Sequence, residues 1–142
     1  MRFVVLLLLL SISPVGWASD PFQHPFPGYV VLYNTFNSTA LSSEIANQYG
    51  LKRSEKIDTL NIAVQAKKER QRQPVDALLK GKVTNFYQQQ QNLDFQRVKE
   101  GEYIYFIAQY RVTDETPLQF HLYIRPDGHD RTLELKFKRP LP

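Results

Sequence analysis

Apolar and polar residues alternate most clearly in the second half of the chain. Apolar residues take every second position in three runs, at 104–112, 118–124 and 133–137. A period of two is typical of strands with one face in a core and the other in water. Residues 113–117 and the pair Asp127-Gly128 supply turns between the runs. The pattern predicts three consecutive antiparallel strands in one sheet.

The middle of the chain follows the same period less regularly. Four further strands are predicted, at 29–36, 60–66, 75–84 and 93–98. Gly81 marks a bend or bulge in the third of these, and a break of phase predicts a bulge in the fourth. The polar stretches 67–73 (KKERQRQ) and 88–92 are interpreted as loops.

Residues 38–50 have helical spacing instead. Apolar residues recur every four positions from Leu41 to Tyr49. Ser42 suits the N-cap and Gly50 suits the position just after the C-terminus, so one short helix is predicted.

About seven strands and one short helix predict an immunoglobulin-like antiparallel β-sandwich. A small barrel, or a cystatin-like sheet wrapped on the helix, is the alternative. The helix is too short to cover a whole sheet, which favours the sandwich. We expect a single sandwich domain at 29–142, preceded at 19–28 by an extended arm with three prolines and two phenylalanines.

The first 18 residues have the layout of a signal peptide. Arg2 precedes a short apolar run, and Gly16 and Ala18 fit the positions before a cleavage site. The apolar run is too short to span a bilayer, which takes about 20 residues. Cleavage after Ala18 would leave a chain that begins at Ser19, with no transmembrane segment.

The chain contains no cysteine, which excludes disulfides, thiol nucleophiles and cysteine-bound metals. Small secreted domains of eukaryotes are usually stapled by disulfides. An exported chain without cysteine therefore favours the bacterial periplasm.

The sequence offers no catalytic constellation. No nucleophile elbow, acid–base carboxylate pair or glycine-rich phosphate loop is present. His24, His121 and His129 lack the spacing of metal ligands. We expect a protein that is not an enzyme and that has neither metal nor cofactor.

The net charge of +4 has two centres. Residues 67–72 contribute four cations against Glu69, and Lys136, Lys138 and Arg139 are assigned to the outward side of the last strand. Such patches favour an anionic lipid or an acidic partner. The alternative is a solvated loop and an edge strand protected by lysines. Nucleic acid is not expected as a partner of an exported protein.

The first candidate interaction surface is aromatic. Tyr103, Tyr105, His121 and Tyr123 occupy outward positions on two strands that are predicted to be neighbours. Exposed tyrosines are enriched at recognition surfaces. The alternative is that the proline-rich arm or the helix packs over these rings.

A second candidate site follows the predicted helix. Tyr49, Lys52 and Arg53 could bind a small anion, with the tyrosine ring as a wall. The alternative is that both cations only compensate the helix dipole.

Four segments carry a resemblance to a known family: YNTFNS (33–38), YGLKRS (49–54), LNIAV (60–64) and LDFQRVKEGEYIYFIAQYRV (93–112). Over 28–138 the chain resembles a family of small exported proteins of Gram-negative bacteria, classed as a domain of unknown function. The resemblance implies a periplasmic, mostly β domain and supplies no catalytic residue or ligand.

The residues and the resemblance together predict an exported periplasmic protein that acts as a non-enzymatic binding or protein-interaction module. Its partner would be an envelope protein or ligand that the sequence does not identify. A periplasmic protein that binds a small anion or a metal ion is the alternative.

Overall fold

The alternating runs fold into two antiparallel sheets in the computed structural model, which describes residues 22–112 and 117–139. The predicted signal peptide, and residues 113–116 of the predicted turn, lie outside these ranges. Within them the elements are β1 (Phe22–Phe26), β2 (Tyr29–Asn37), a 3-10 turn (Ser38–Ala40), α1 (Ser43–Tyr49), β3 (Ile57–Lys68), β4 (Gln71–Pro74), β5 (Ala77–Thr84), β6 (Gln90–Leu93), β7 (Gln96–Glu100), β8 (Tyr103–Arg111), β9 (Leu118–Pro126) and β10 (Leu133–Arg139).

The strands form two layers. Sheet A has the order β1-β2-β3-β8-β7, with β4 paired to the end of β3, and sheet B has the order β10-β9-β5-β6. The predicted antiparallel sandwich is confirmed, with ten strands in the described ranges in place of about seven.

The core lies between the two sheets. Leu60 and Ile62 of sheet A and Phe120 of sheet B are fully buried. The Phe120 ring stacks on Phe137 at a centroid distance of 4.7 Å and meets the edge of Tyr110 at 5.0 Å. Contacts between aromatic and aliphatic side chains from both inner faces therefore hold the sheets together.

The predicted three-strand meander is wrong. β9 and β10 form a hairpin in sheet B, whereas β8 pairs with β3 and β7 in sheet A. The chain crosses from one sheet to the other between β8 and β9. Alternation shows which side of a strand is buried, but either sheet of a sandwich satisfies it equally well.

Two predicted bulges have other causes. The break of phase within 93–98 is a second crossing, because β6 belongs to sheet B and β7 to sheet A. Gly81 lies in an unbroken register, opposite Leu93 on β6 and Leu122 on β9. A Cβ atom at Gly81 would collide with the Leu122 side chain, so the glycine makes room for close packing.

Two predicted irregular segments are also strands. The described part of the arm is β1, which pairs with β2 at the edge of sheet A. The KKERQRQ stretch forms the end of β3, a turn and β4. Both β1 and β4 are almost wholly exposed, so neither shows an apolar face in the sequence.

The predicted helix is confirmed in a shorter form, α1, after a 3-10 turn. Ser42 caps its first turn by accepting a hydrogen bond from the Ile45 N–H at 3.2 Å, and Gly50 ends it in the left-handed region. The chain after the helix crosses the outer face of sheet A. There the Gln96 side chain donates a hydrogen bond to the Tyr49 carbonyl.

Candidate binding surface

The four aromatic residues predicted as one surface lie on two different faces. Tyr103 and Tyr105 are on β8 in sheet A, and His121 and Tyr123 are on β9 in sheet B. Both pairs point away from the core, so they stand on opposite sides of the sandwich. The prediction of a single patch is wrong because it took β8 and β9 as neighbours in one sheet.

Tyr103 and Tyr105 form a stacked pair with ring centroids 6.4 Å apart. The Tyr103 side is open to solvent, with 59% of the residue exposed. Burial raises the pKa of Tyr105, and the neighbouring Tyr103 and Glu100 add to the rise. The arm that was considered as a cover lies in the plane of sheet A as β1, two strands away from β8.

The predicted anion site is divided by its hydrogen bonds. The Gln109 side chain accepts from the Lys52 N–H at 2.9 Å and donates to the Lys52 carbonyl at 2.8 Å. The Arg53 guanidinium instead donates to the Thr39 carbonyl at 3.3 Å. Tyr49 is half-buried at the end of α1.

A cleft of about 400 Å³ opens beside Lys52. Its lining residues are Lys52, Ile57, Gln90, Gln91, Asn92, Gln109, Tyr110 and Arg111. Lys52 therefore shares the cleft with Arg111, and not with the predicted partners Tyr49 and Arg53.

Within the described ranges, no three His, Asp or Glu side chains come together as a metal site. The contacts of the histidines are the Phe26 ring for His24, the Tyr29 ring for His129 and the Glu134 carboxylate for His121. The three imidazoles thus lie in separate environments.

The outer face of sheet B carries an ordered array of charges and rings. The registers of β5, β9 and β10 set their outward residues in rows across the sheet. The rows are Thr84, Gln119 and Lys138; Lys82, His121 and Lys136; and Lys80, Tyr123 and Glu134. The two aromatic rings therefore lie on the central strand with lysines on both sides. The term basic face is used below for Lys80, Lys82, His121, Tyr123, Lys136 and Lys138.

The rings and the carboxylate of this array interact directly. The His121 and Tyr123 rings are in contact, with centroids 4.5 Å apart. Glu134 Oε1 lies 2.5 Å from His121 Nε2 and 3.9 Å from Lys136 Nζ. Among the described outward residues of β5, β9 and β10, Glu134 is the single carboxylate beside four lysines. The surface is therefore strongly positive, and an anionic group that approaches it meets several cations at once.

The cations of the KKERQRQ stretch are used differently. The Lys67 ammonium lies 3.5 Å from the Phe26 carbonyl, and the Arg72 guanidinium donates to the Gln23 side chain at 3.1 Å. Both contacts tie the β3–β4 hairpin to β1. Arg139, predicted to point outward with Lys136 and Lys138, instead reaches inward to Asp58, and its guanidinium lies 2.7 Å from the Asp58 carboxylate. That prediction is wrong.

Sequence reasoning assigned Lys80 and Lys82 to outward positions but did not connect them with the rings. The connection depends on the pairing of β5 with β9, which are about 40 residues apart in the chain. Phe86 and Tyr87, in the turn between β5 and β6, were also missed, although their side chains are 71% and 72% exposed. Their signal in the sequence is a pair of aromatic residues between Asn85 and Gln88 in a segment of turn composition.

The fold and the surface define a two-sheet antiparallel β-sandwich with one basic, aromatic outer face. The sequence model of a family described as a domain of unknown function, DUF4426, matches residues 23–141. The chain belongs to this family, which confirms the predicted membership of a family of unknown function. No match was found among curated proteins.

Solved structures with the same fold include a member of this family. A crystal structure of a DUF4426 family protein from Pseudomonas aeruginosa PAO1 is 26% identical, with a TM-score of 0.76, and the match covers 87% of this chain and 95% of that one. A copper-bound variant of FetP from uropathogenic Escherichia coli is 7% identical, with a TM-score of 0.61 and coverage of 84% and 93%. FetP as isolated from the same strain is also 7% identical, with a TM-score of 0.63 and coverage of 84% and 91%. The likeness to FetP is one of fold.

In the described ranges there is no helix long and apolar enough to cross a membrane.

Proposed function

We propose that this protein is an exported periplasmic, non-enzymatic binding module, and that its basic face binds a partner with several negative charges. Export is supported by the signal-peptide layout of residues 1–18, with cleavage after Ala18. Binding is supported by the array on the outer face of sheet B.

The observation that carries the proposal is the arrangement of cations around two rings. Lys82 and Lys136 stand on either side of His121 in one row, and Lys80 stands beside Tyr123 in the next. A lysine near an anionic surface contributes about 1 kcal/mol to binding, and tyrosines add contact area at little cost in side-chain entropy. A flat sheet face with this composition fits an extended anionic partner better than a small molecule.

The proposal is tested with a polyanion of known chemistry, heparin, immobilised on a column. The form that begins at Ser19 is compared with the double charge reversal Lys82→Glu and Lys136→Glu. Two lost cations imply a decrease in binding free energy of about 2 kcal/mol or more, which is roughly 30-fold in affinity. The variant should therefore elute at markedly lower salt.

The matched control is Lys68→Glu with Arg70→Glu, which changes the net charge equally on the β3–β4 hairpin. The control should elute close to the unmodified protein. Equal losses in both double variants would show that net charge alone governs retention and would reject the basic face as the site.

The cleft beside Lys52 supports a second candidate function, the binding of a small anion. Lys52 and Arg111 line it together with the side chains of Gln90 and Asn92. Thermal unfolding in phosphate and in sulfate tests this candidate, because a ligand at a hundred times its dissociation constant stabilises the protein by about 2.7 kcal/mol. The stabilisation should disappear in Lys52→Ala with Arg111→Ala and persist in the Lys82→Glu, Lys136→Glu variant.

A further inference from the structure

The turn between β5 and β6 presents two large rings to solvent. Phe86 is 71% exposed and Tyr87 is 72% exposed. Their rings meet edge to face, with centroids 5.8 Å apart. Exposed aromatic pairs of this kind mark surfaces that contact another molecule or a membrane.

The turn is held in one conformation by Asn85. Its side-chain oxygen accepts hydrogen bonds from the N–H groups of Tyr87 and Gln89, both at 2.9 Å. Its amide nitrogen donates to the Gln89 side chain at 2.8 Å, and the Asn85 N–H donates to the Gln89 carbonyl at 3.0 Å. Gln88 adopts a positive φ of 66°, which closes the loop. The two rings are therefore presented by a preorganised turn, so little conformational entropy is lost when they bind.

The turn also continues the basic face at its lysine-rich end. Thr84, the last residue of β5, is paired with Gln119, which is paired in turn with Lys138 on β10. The next row contains Lys82 and Lys136. The rings thus extend beyond the edge of sheet B at which these lysines lie.

We propose that the Phe86–Tyr87 turn is a membrane-interface anchor, and that it acts with the basic face to bind the surface of an anionic lipid bilayer. The inference rests on the proposed function and names its partner. Aromatic rings favour the headgroup level of a bilayer, and lysines are attracted to anionic lipids. Reversible membrane binding commonly needs both an apolar and a basic element, and the turn and the basic face supply one each.

Sedimentation with vesicles tests the anchor. The form that begins at Ser19 should bind vesicles of phosphatidylglycerol and phosphatidylcholine and should not bind vesicles of phosphatidylcholine alone. The variant Phe86→Ser with Tyr87→Ser should lose at least roughly tenfold in affinity for the anionic vesicles while its retention on heparin is unchanged. Among single variants, Tyr87→Ser should weaken binding, and Tyr103→Ser, which removes an exposed tyrosine of sheet A, should not.

A fluorescence measurement tests insertion directly. Trp17, the single tryptophan of the chain, precedes the cleavage site, so Phe86→Trp gives a form beginning at Ser19 with one tryptophan in the turn. Its emission should shift to the blue on anionic vesicles and be quenched by brominated acyl chains. Vesicle binding without this shift would contradict the anchor.

The outcomes separate the two proposals. Retention on heparin without binding to either vesicle would overturn the anchor and leave the proposed function standing. Loss of both would overturn both. A blue shift with polyglutamate but not with anionic vesicles would overturn the lipid assignment in favour of an acidic protein partner.

Discussion

Arg139 lies three residues after Lys136 but points to the other side of β10, towards the end of the core. Its guanidinium is 2.7 Å from the carboxylate of Asp58, a residue that is 2% exposed. The Asn37 side chain donates a second hydrogen bond to the same carboxylate at 3.0 Å. A carboxylate this deeply buried is stable only with such compensation.

Replacement of the arginine should therefore destabilise the fold. We expect Arg139→Leu to lower the free energy of unfolding by up to about 3 kcal/mol, because it leaves Asp58 charged and buried. Urea denaturation measures the change. Arg131→Ala, at an exposed arginine in the β9–β10 turn, should stay within about 0.5 kcal/mol. The double variant Arg139→Leu with Asp58→Asn should recover most of the loss, and no recovery would contradict this account of the pair.

The neighbouring Tyr110 should respond to alkaline pH. Burial raises the pKa of its hydroxyl above the usual 10.0, and Asp58 raises it further, against smaller opposing effects of Arg139 and Thr35. The native state therefore keeps a proton that the unfolded state loses near pH 10, so the free energy of unfolding falls as pH rises above that value. Tyr110→Phe should show a smaller loss between about pH 9 and about pH 11 than the unmodified protein. Tyr103→Phe is the control, and a Tyr110→Phe curve parallel to that of the unmodified protein would contradict the prediction.

At the scale of elements, the sequence predicts most strands but not their partners. The runs that became β8, β9 and β10 are recognisable because each buries one face, and the helix is recognisable from Ser42 and Gly50. By contrast, β1 and β4 bury almost nothing and give no periodic signal. The two crossings between the sheets, one after β6 and one after β8, cannot be derived from alternation, and the position of the basic face depends on them.

Gly81 tests the packing of the central strands of sheet B. A side chain at this position would meet Leu122 and the His121 carbonyl, so Gly81→Ala should lower the free energy of unfolding by about 1 to 3 kcal/mol. Leu78→Ala, on the same strand at a residue that is 74% exposed, should change it by less than about 0.5 kcal/mol. Chemical denaturation of both variants decides the point, and a neutral Gly81→Ala would contradict the close contact.

At the scale of the whole molecule, composition indicates a basic protein and the fold shows where the charge can act. The charge centre most visible in the sequence, KKERQRQ, is partly engaged with β1, whereas lysines from two distant segments meet around His121 and Tyr123. The candidate surface predicted from the sequence was therefore half recovered. His121 and Tyr123 belong to the basic face, and Tyr103 and Tyr105 lie across the sandwich from it.

The measurement that tests the central claim most directly is a backbone NMR titration of the form that begins at Ser19 with a short heparin oligosaccharide. The account predicts that the largest chemical-shift changes fall on Lys82, His121 and Lys136 and extend along β5, β9 and β10, and that they diminish as salt is added. The largest changes on the β3–β4 hairpin, or at Tyr103 and Tyr105 on sheet A, would contradict it.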